Sequence, residues 1–333
     1  MRSWWLAISV CCALTMLGVP GGALAQGAPS PVRLVVVLLQ GWGTTNGDES
    51  FAAITPVLER VGTFPDVNLA VSVEPFSYRY PDLAYDACDT NRPVAASAER
   101  LNRQLQDLTE RHPNARFVIV GHSLGGVVAT RWAAVEAGQS LLDRTAAVVT
   151  LDSPLQGITD VPPTIKDLVD NWIHPQFCAD RSVLDDLGSA RAGSTLESLR
   201  GAADRLAVRG GRLYTAAGRG DLPIAARTAV LPGAEQRLFD TDVCADWAGL
   251  TGAVPGLTAD VRTSDWTRIR TQLATMPPAT QRAVLDRFTA CMRASHGNVL
   301  QAADVLSWLA EIVQGALPMP LQAGGRERAS PAP

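Results

Sequence analysis

Residues 117–132 read FVIVGHSLGGVVATRW and join two kinds of apolar pattern. The run Phe117–Val120 predicts a buried strand, and the apolar residues of Gly126–Ala137 recur at the spacing of a helix. Between the two patterns, Ser123 stands in the sequence Gly-x-Ser-x-Gly. Such a turn from strand to helix strains the backbone of the serine and presents its hydroxyl above the edge of a sheet. We therefore expect Ser123 to act as a nucleophile.

The neighbours of Ser123 support this turn. Gly121 and Gly125 lie two residues before and two residues after the serine, where the chain passes too close to itself for a side chain. His122 lies inside the turn and is expected to support it. The N–H of Leu124 directly follows the serine at the start of a helix, where the helix dipole favours negative charge. We predict that this N–H is one donor of an oxyanion hole.

Strand and helix patterns alternate along the rest of the chain. The predicted strands are Val32–Leu39, one or two short strands within Asn68–Tyr78, Phe117–Val120, Ala146–Leu151 and Arg212–Ala216. Two further helices are marked by the apolar faces Ala98, Leu101, Leu105 and Leu108, and Val305, Trp308, Leu309 and Ile312. Strands that are apolar on both faces and separated by helices indicate an α/β fold with a doubly wound, mostly parallel sheet.

A serine hydroxyl needs a base to become a nucleophile, and the base needs an acid to orient it. In chains with this turn, the order is serine, acid and then histidine. His296 lies in a short stretch that we predict to be a loop just before the last helix, and it is the predicted base. His174 is the alternative, while His112 precedes the serine and does not fit the order.

The acid is expected after a late strand. Asp221 stands in the glycine-rich loop that follows the strand Arg212–Ala216, and it is the predicted acid. Aspartate is also common in ordinary turns, so alternatives stay open. They are Asp240, Asp242 and, less favoured, Asp152.

A second backbone donor for the oxyanion hole is expected in the loop after the first strand. That loop reads Gln40-Gly41-Trp42-Gly43. We predict that the N–H of Trp42 is the donor, that Gly41 lets the backbone approach the substrate, and that the Gln40 side chain braces the loop. The alternative is a plain glycine turn.

The two ends of the chain read as segments outside the folded domain. Residues 1–25 have the charge, apolar run and small residues of a signal peptide, with cleavage predicted after Ala25. An uncleaved membrane anchor is the alternative. We expect one domain over residues 26–317, a disordered tail over residues 318–333, and a secreted, periplasmic or cell-surface protein.

Composition excludes some partners. The 333 residues are 47% hydrophobic and only 19% charged, and the net charge is −4. Without a basic run, nucleic acid is not an expected partner. The oligomeric state is undetermined.

Four cysteines follow the predicted signal, and an even number in an exported chain suggests disulfides. Three pairings are open. Cys88 with Cys178 and Cys244 with Cys291 are favoured, because each pair would join a long irregular segment. No spacing among these cysteines resembles a zinc site, and no metal or cofactor is expected.

Five stretches in order along residues 32–315 resemble the α/β-hydrolases of the bacterial lipase and esterase type. They are VVVLLQGWG, FVIVGHSLGG, VVTLDSPLQG, AGRGDLPI and SHGN. The resemblance implies that Ser123, Asp221 and His296 form a catalytic triad. Many members of the family have His-Gly where this chain has Gln40-Gly41. That change keeps the backbone donor of the loop.

The resemblance also implies helical cap or lid insertions where the alternation is interrupted. One insertion is expected at about residues 158–209, with an amphipathic helix near residues 165–173, and the other at about residues 235–293. A lid would cover the serine and exclude water, and it would make a lipid interface a transient partner. The alternative is that these helices only pack on the sheet.

Together these features predict hydrolysis of small-molecule or lipid esters through an acyl-serine, without cofactor or metal. An acyltransferase or a thioesterase would use the same triad, and a peptidase is a further alternative. A non-catalytic binding protein with the same fold is the remaining hypothesis.

Overall fold

The computed structural model of the protein describes residues 32–61, 69–158, 178, 182–188, 192–258 and 264–317. A six-stranded sheet lies at its centre, and all of its strands are parallel. The strands in chain order are β1 Val32–Leu39, β2 Leu69–Pro75, β3 Ala115–His122, β4 Thr145–Leu151, β5 Arg212–Gly218 and β6 Glu235–Phe239. Their order in the sheet is β2-β1-β3-β4-β5-β6. The predicted fold class is confirmed.

Helices cover both faces of the sheet. The described α-helices are α1 Thr55–Val61, α2 Val94–Arg111, α3 Leu124–Arg131, α4 Gln139–Arg144, α5 Ser182–Gly188, α6 Ala192–Leu199, α7 Ala202–Ala207, α8 Trp247–Ala253, α9 Trp266–Thr275, α10 Pro278–Asn298 and α11 Ala303–Gly315. A π-helical turn, Trp132–Glu136, extends α3, and short 3-10 helices lie at Glu49–Phe51, Ala87–Asn91 and Ala226–Thr228.

Each central strand is buried on both faces, as its unbroken apolar sequence indicates. In β1, Val35, Val37 and Leu39 pack in one core cluster with α2 and α3, whereas Leu34 and Val36 pack in a second cluster with α1 and α11. Successive side chains of a strand point to opposite faces, so β1 contributes to both cores.

The parallel register brings the carboxyl ends of neighbouring strands together. Leu39 of β1 pairs with Gly121 of β3, and Leu151 of β4 pairs both with His122 of β3 and with Ala216 of β5. In open parallel sheets, ligands bind outside this edge. The loops that follow β1, β3, β4 and β5 therefore define the place where a site is expected.

The structure differs from the sequence prediction at residues 235–239. These residues were assigned to the start of the second insertion, but they form the edge strand β6. Only Phe239 of the strand is buried. An edge strand has one neighbour and needs no continuous apolar run, so the sequence EQRLF carries little strand signal.

Helices α8, α9 and α10 form a small apolar core of their own. Its buried residues include Leu250, Val254, Ile269, Val284 and Phe288. A cavity of about 200 Å³ lies among these helices. This cluster is separate from the two clusters that flank the sheet, and a cap at about residues 235–293 stays a prediction.

Two disulfides join distant parts of the described chain. Cys88 pairs with Cys178, and Cys244 pairs with Cys291, the two pairings that the sequence favoured. No described helix has the length and apolar character needed to span a bilayer. The predicted signal, the helix near residues 165–173, His174 and the tail from residue 318 lie outside the described residues.

Candidate active site

Ser123 occupies a strained turn between β3 and α3. Its backbone angles are φ 54° and ψ −124°, in a region that residues with a side chain rarely adopt. A Cβ atom added at Gly121 would collide with the backbone of Gly125, and one added at Gly125 would collide with the backbone of Leu39. Two glycines are therefore required where the sequence places them. The backbone N–H of Ser123 donates to the carbonyl of Leu151 at 2.9 Å, which fixes the turn to the end of β4.

The loop after β1 passes directly over the serine. A Cβ atom at Gly41 would lie 2.9 Å from the Cβ of Ser123. Beyond Gly41, the indole Nε1 of Trp42 donates to Asn91 at 2.5 Å, and the N–H of Gly43 donates to Thr90 at 2.9 Å. These bonds hold the backbone of Trp42 against the 3-10 helix Ala87–Asn91.

Leu124 is the first residue of α3. The first N–H groups of a helix have no partner within the helix and remain available to a ligand. The loop after β1 and the start of α3 thus meet at Ser123. Oxyanion donors at Trp42 and Leu124 remain a prediction.

Gln40 braces this loop through three hydrogen bonds. Its side-chain Nε2 donates to the carbonyl of Asp48 at 2.7 Å, and its Oε1 accepts from the hydroxyl of Tyr85 at 2.6 Å. The hydroxyl of Tyr78 donates to the backbone carbonyl of Gln40 at 2.6 Å. Burial raises the pKa of Tyr78 well above its ordinary value, and burial likewise raises the pKa of Tyr85, so both phenols stay protonated as donors. The sequence did not reveal the two tyrosines.

His296 and Asp221 are in direct contact. The ring Nδ1 of His296 lies 2.7 Å from Oδ2 of Asp221. A carboxylate only accepts, so the network assigns a proton to Nδ1 and leaves Nε2 of a neutral ring as the acceptor. The Asp221 side chain is fully buried, and its Oδ1 accepts from the N–H of Ile224 at 3.0 Å. The acid therefore has a fixed orientation.

The surroundings of His296 differ from the prediction. The sequence SHGN was expected to be a loop, but His296 lies in the last turn of the long helix α10. Ser295, the residue before it, accepts a hydrogen bond from the N–H of Leu222 through its side chain at 3.3 Å. The helix end is thereby joined to the loop that carries Asp221.

His122 and His296 pack against each other beside Ser123. Their ring centroids are 4.5 Å apart, and Nε2 of His122 lies 2.9 Å from the carbonyl oxygen of His296. Because a carbonyl only accepts, His122 donates and carries its proton on Nε2. Burial, and then the neighbouring His296, lower the pKa of His122 well below its ordinary value. His122 thus supports the predicted base as well as the turn.

The alternative acids lie in different surroundings. Asp240 is exposed and pairs with Arg219 at 3.1 Å, and Asp242 is exposed as well. Asp152 is fully buried beside Asp221. Among the three, only Asp152 forms a described cluster with both Asp221 and His296, within 4.8 Å.

Comparison with known proteins finds one matching family and several similar solved structures. Residues 43–176 match the family Lipase (class 3). None of the curated protein sequences matches the chain. Among solved structures, a lipase of Bacillus licheniformis in mature form is similar at 12% identity and a TM-score of 0.45, over 64% of this chain and 87% of that one.

Two further solved structures are similar. A phospholipase of Legionella pneumophila in complex with thio-NAD has 12% identity and a TM-score of 0.48, over 79% of this chain and 63% of that one. A metagenomic carboxyl esterase has 17% identity and a TM-score of 0.42, over 78% and 77% of the two chains. The parallel sheet and the serine turn at the end of β3 fit an α/β-hydrolase fold, and the lipase match over residues 43–176 supports an enzyme that hydrolyses carboxylic esters.

Proposed function

We propose that the protein is a secreted lipase or esterase that cleaves carboxylic esters through an acyl-serine intermediate. The observation that carries the proposal is the contact of 2.7 Å between His296 and Asp221, with His296 packed against His122, the residue that precedes the strained Ser123. Strain is retained at a residue when the surrounding structure holds it in place, and it clusters at active sites. The match of residues 43–176 to class 3 lipases favours a lipid ester as substrate.

In the first half of the reaction, Nε2 of His296 takes the hydroxyl proton of Ser123 as the oxygen attacks the ester carbonyl. The negative oxygen of the tetrahedral intermediate accepts hydrogen bonds from the N–H groups of Trp42 and Leu124. The intermediate collapses when His296 gives its proton to the leaving alcohol. Asp221 holds the ring in the required tautomer and stabilises its cationic form.

In the second half, His296 removes a proton from water, and the hydroxide oxygen attacks the acyl-serine carbonyl. Collapse of the second intermediate releases the carboxylic acid and returns the proton to Ser123. The bonds formed and broken balance without a metal or an organic cofactor.

Two structural features favour further parts of the proposal. The disulfides Cys88–Cys178 and Cys244–Cys291 favour an oxidising location such as the periplasm, the cell surface or the medium. The apolar layer of α8, α9 and α10 favours a cap over the site, because α10 also carries His296. A cap of this kind would meet a lipid interface transiently.

The direct test measures hydrolysis of p-nitrophenyl esters from acetate to palmitate by the wild type and by Ser123→Ala. We expect Ser123→Ala to lower kcat by roughly 10⁶-fold while the protein stays folded. Ser140→Ala, at an exposed serine of α4, is the matched control. A fluorophosphonate should label Ser123 in the wild type, as mass spectrometry of the labelled peptide would reveal.

The chain-length profile separates the two forms of the proposal. Preference for long acyl chains indicates a lipase, and activity confined to short chains indicates an esterase. Wild-type turnover by Ser123→Ala would contradict the whole proposal. Acyl transfer to an added alcohol in preference to water would replace it with an acyltransferase.

A further inference from the structure

Asp152 is a buried carboxyl group that the proposed reaction does not use. It directly follows β4, and its side chain is fully buried. Its φ angle is 44°, and Ser123 is the other non-glycine residue with a positive φ in the part of the chain that the structure describes. The N–H of Asp152 donates to the carbonyl of Ala216 at 3.0 Å, which holds the residue against the end of β5.

The two oxygens of Asp152 have different surroundings. Oδ1 accepts from the N–H of Gly218 at 2.6 Å. Oδ2 is buried. Among the described residues, no hydrogen-bond donor reaches it as long as the carboxyl groups of Asp152 and Asp221 are both ionised. A buried polar atom without a partner costs free energy and requires an explanation.

The titratable groups that face Asp152 come from two elements. They are Asp221, from the loop after β5, and His296, from α10, with His122 packed against His296. One ligand atom from each of Asp152, Asp221 and His296 lies within 4.8 Å of the other two. Two ionised carboxylates enclosed so closely repel each other, and sharing one proton removes the repulsion.

The donor set does not form a metal centre. Three such groups could coordinate an ion, but His296 Nδ1 and Asp221 Oδ2 are 2.7 Å apart, at hydrogen-bonding distance. Ligands bound to one ion at about 2.0 Å in a tetrahedral arrangement lie farther apart than this. A proton therefore occupies the space between those two atoms, and a second proton is the simplest partner for Asp152 Oδ2.

Electrostatics favours the neutral form of Asp152. Burial, and then the charge of Asp221, raise its pKa well above the ordinary value of an aspartate, while the hydrogen bond from Gly218 opposes the shift only in part. We propose that Asp152 is a carboxylic acid at neutral pH and donates a hydrogen bond through Oδ2 to the carboxylate of Asp221. Asp152 is then a positioning residue: it holds Asp221, which in turn holds His296.

The proposal completes the coordination of the Asp221 carboxylate. Ile224 N–H and His296 Nδ1–H supply one donor to each of its oxygens, and Asp152 supplies a third. The proton stays within the pair throughout the reaction. The effect on turnover rests on the proposed function, whereas the protonation state of the pair can be measured without substrate.

The first test is infrared difference spectroscopy on the whole protein at neutral pH. The wild type should show a carboxylic-acid C=O band that shifts in D2O and disappears in Asp152→Asn. A difference spectrum with carboxylate bands alone would overturn the proposal. Because no substrate is involved, this outcome is independent of whether Ser123 is a nucleophile.

The second test compares two substitutions that differ only in donating ability. Asparagine keeps the shape, can accept from Gly218 and donates to Asp221, and it tolerates a positive φ. Glycine also suits this backbone but leaves Asp221 without the donor. We expect Asp152→Gly to lower kcat/KM by about ten- to a hundredfold and Asp152→Asn to restore it to within a few-fold of the wild type.

The pH profile excludes a merely structural effect. If Asp152 is neutral, Asp152→Asn leaves the midpoint of the acid limb of kcat/KM where it is in the wild type. If Asp152 is ionised, Asp152→Asn removes a negative charge beside His296 and moves that midpoint to lower pH, which would overturn the proposal. Equal losses in both variants would also overturn it. Thr215→Val, at a buried hydroxyl of β5, controls for packing, and thermal melting checks folding.

Discussion

His122 donates its Nε2–H to the backbone carbonyl of His296 at 2.9 Å, so that β3 and α10 meet at two histidines separated by 174 residues. The folded protein keeps His122 neutral, because burial and the neighbouring His296 lower its pKa. The bond therefore links the turn at Ser123 to the predicted base.

The lowered pKa of His122 predicts a loss of stability in acid. Below about pH 6.5 the unfolded chain binds a proton at this histidine that the folded chain does not, so the free energy of unfolding falls as the pH falls. His122→Gln keeps a donor but cannot titrate, and we expect a flatter dependence between pH 7 and pH 5. Denaturant unfolding at several pH values measures it. His112→Gln is the control, because it replaces a different histidine in the same way. If the free energy of unfolding depends on pH equally in His122→Gln and in the wild type, the prediction is wrong.

The pair of carboxyls predicts the opposite pH dependence at Asp152. Its raised pKa means that the folded state retains a proton which the unfolded chain releases above about pH 4. This group therefore lowers the free energy of unfolding as the pH rises from 4 to 7. Asp152→Asn should melt at a higher temperature than wild type at pH 7, and the difference should shrink towards pH 4. A constant difference between the two melting curves would argue against this linkage.

Replacing Asp221 tests which aspartate orients the predicted base. In Asp221→Asn the amide oxygen can accept from the N–H of Ile224, which leaves the NH2 group facing Nδ1 of His296. The ring is then held in the wrong tautomer, and we expect kcat to fall by about 10⁴-fold with the fold intact. Asp240→Asn is the matched control, since Asp240 is exposed and pairs with Arg219. The measurement is steady-state ester hydrolysis together with circular dichroism. Near-normal turnover by Asp221→Asn would reassign the acid to another aspartate.

The turn at Ser123 predicts unequal effects of two glycine substitutions. Gly125→Ala places a methyl group in the backbone of Leu39, and we expect the free energy of unfolding to fall by about 3 kcal/mol. Gly252→Ala, in α8 with open space around it, should instead stabilise by about 0.5–1 kcal/mol. Urea denaturation measures both. A tolerated alanine at position 125 would mean that the turn is wider than the structure indicates.

The disulfide between Cys244 and Cys291 predicts a large effect on stability. Cys244 and Cys291 are 47 residues apart in sequence. Closing a loop of that length lowers the entropy of the unfolded chain, which raises the free energy of unfolding by about 4 kcal/mol. The double variant Cys244→Ser/Cys291→Ser, with Cys88–Cys178 retained, should lose stability of that order. Peptide mapping of the unreduced protein checks the pairing itself, and a different pairing would refute it.

The strongly patterned parts of the fold could be predicted from the sequence. Strand β1 and helix α2 carry unbroken or periodic apolar residues, which are sufficient to place them. Strand β6 could not be predicted, because one buried residue in five leaves almost no pattern. The helix end at His296 was missed because Gly297 and Asn298 favour turns, although they also commonly end helices.

Only those parts of the site that depend on a local motif or on the order of residues along the chain could be predicted. The turn at Ser123 has a local signature, and the order of acid and base narrows the candidates to a few residues. The bracing of Gln40 by Tyr78 and Tyr85 depends on how a loop folds back onto β1, which no local pattern encodes. The contact between Asp152 and Asp221 likewise depends on the adjacency of β4 and β5.

Each disulfide is attached to one half of the candidate site. Cys88 lies in the short helix whose Thr90 and Asn91 hold the loop over Ser123, and Cys291 lies in the helix whose last turn carries His296. Disulfides form where thiols are oxidised and do not persist in a reducing cytosol. Oxidation of these four cysteines therefore ties each half of the candidate site covalently to a distant part of the chain, so that reduction would loosen the site at two places at once.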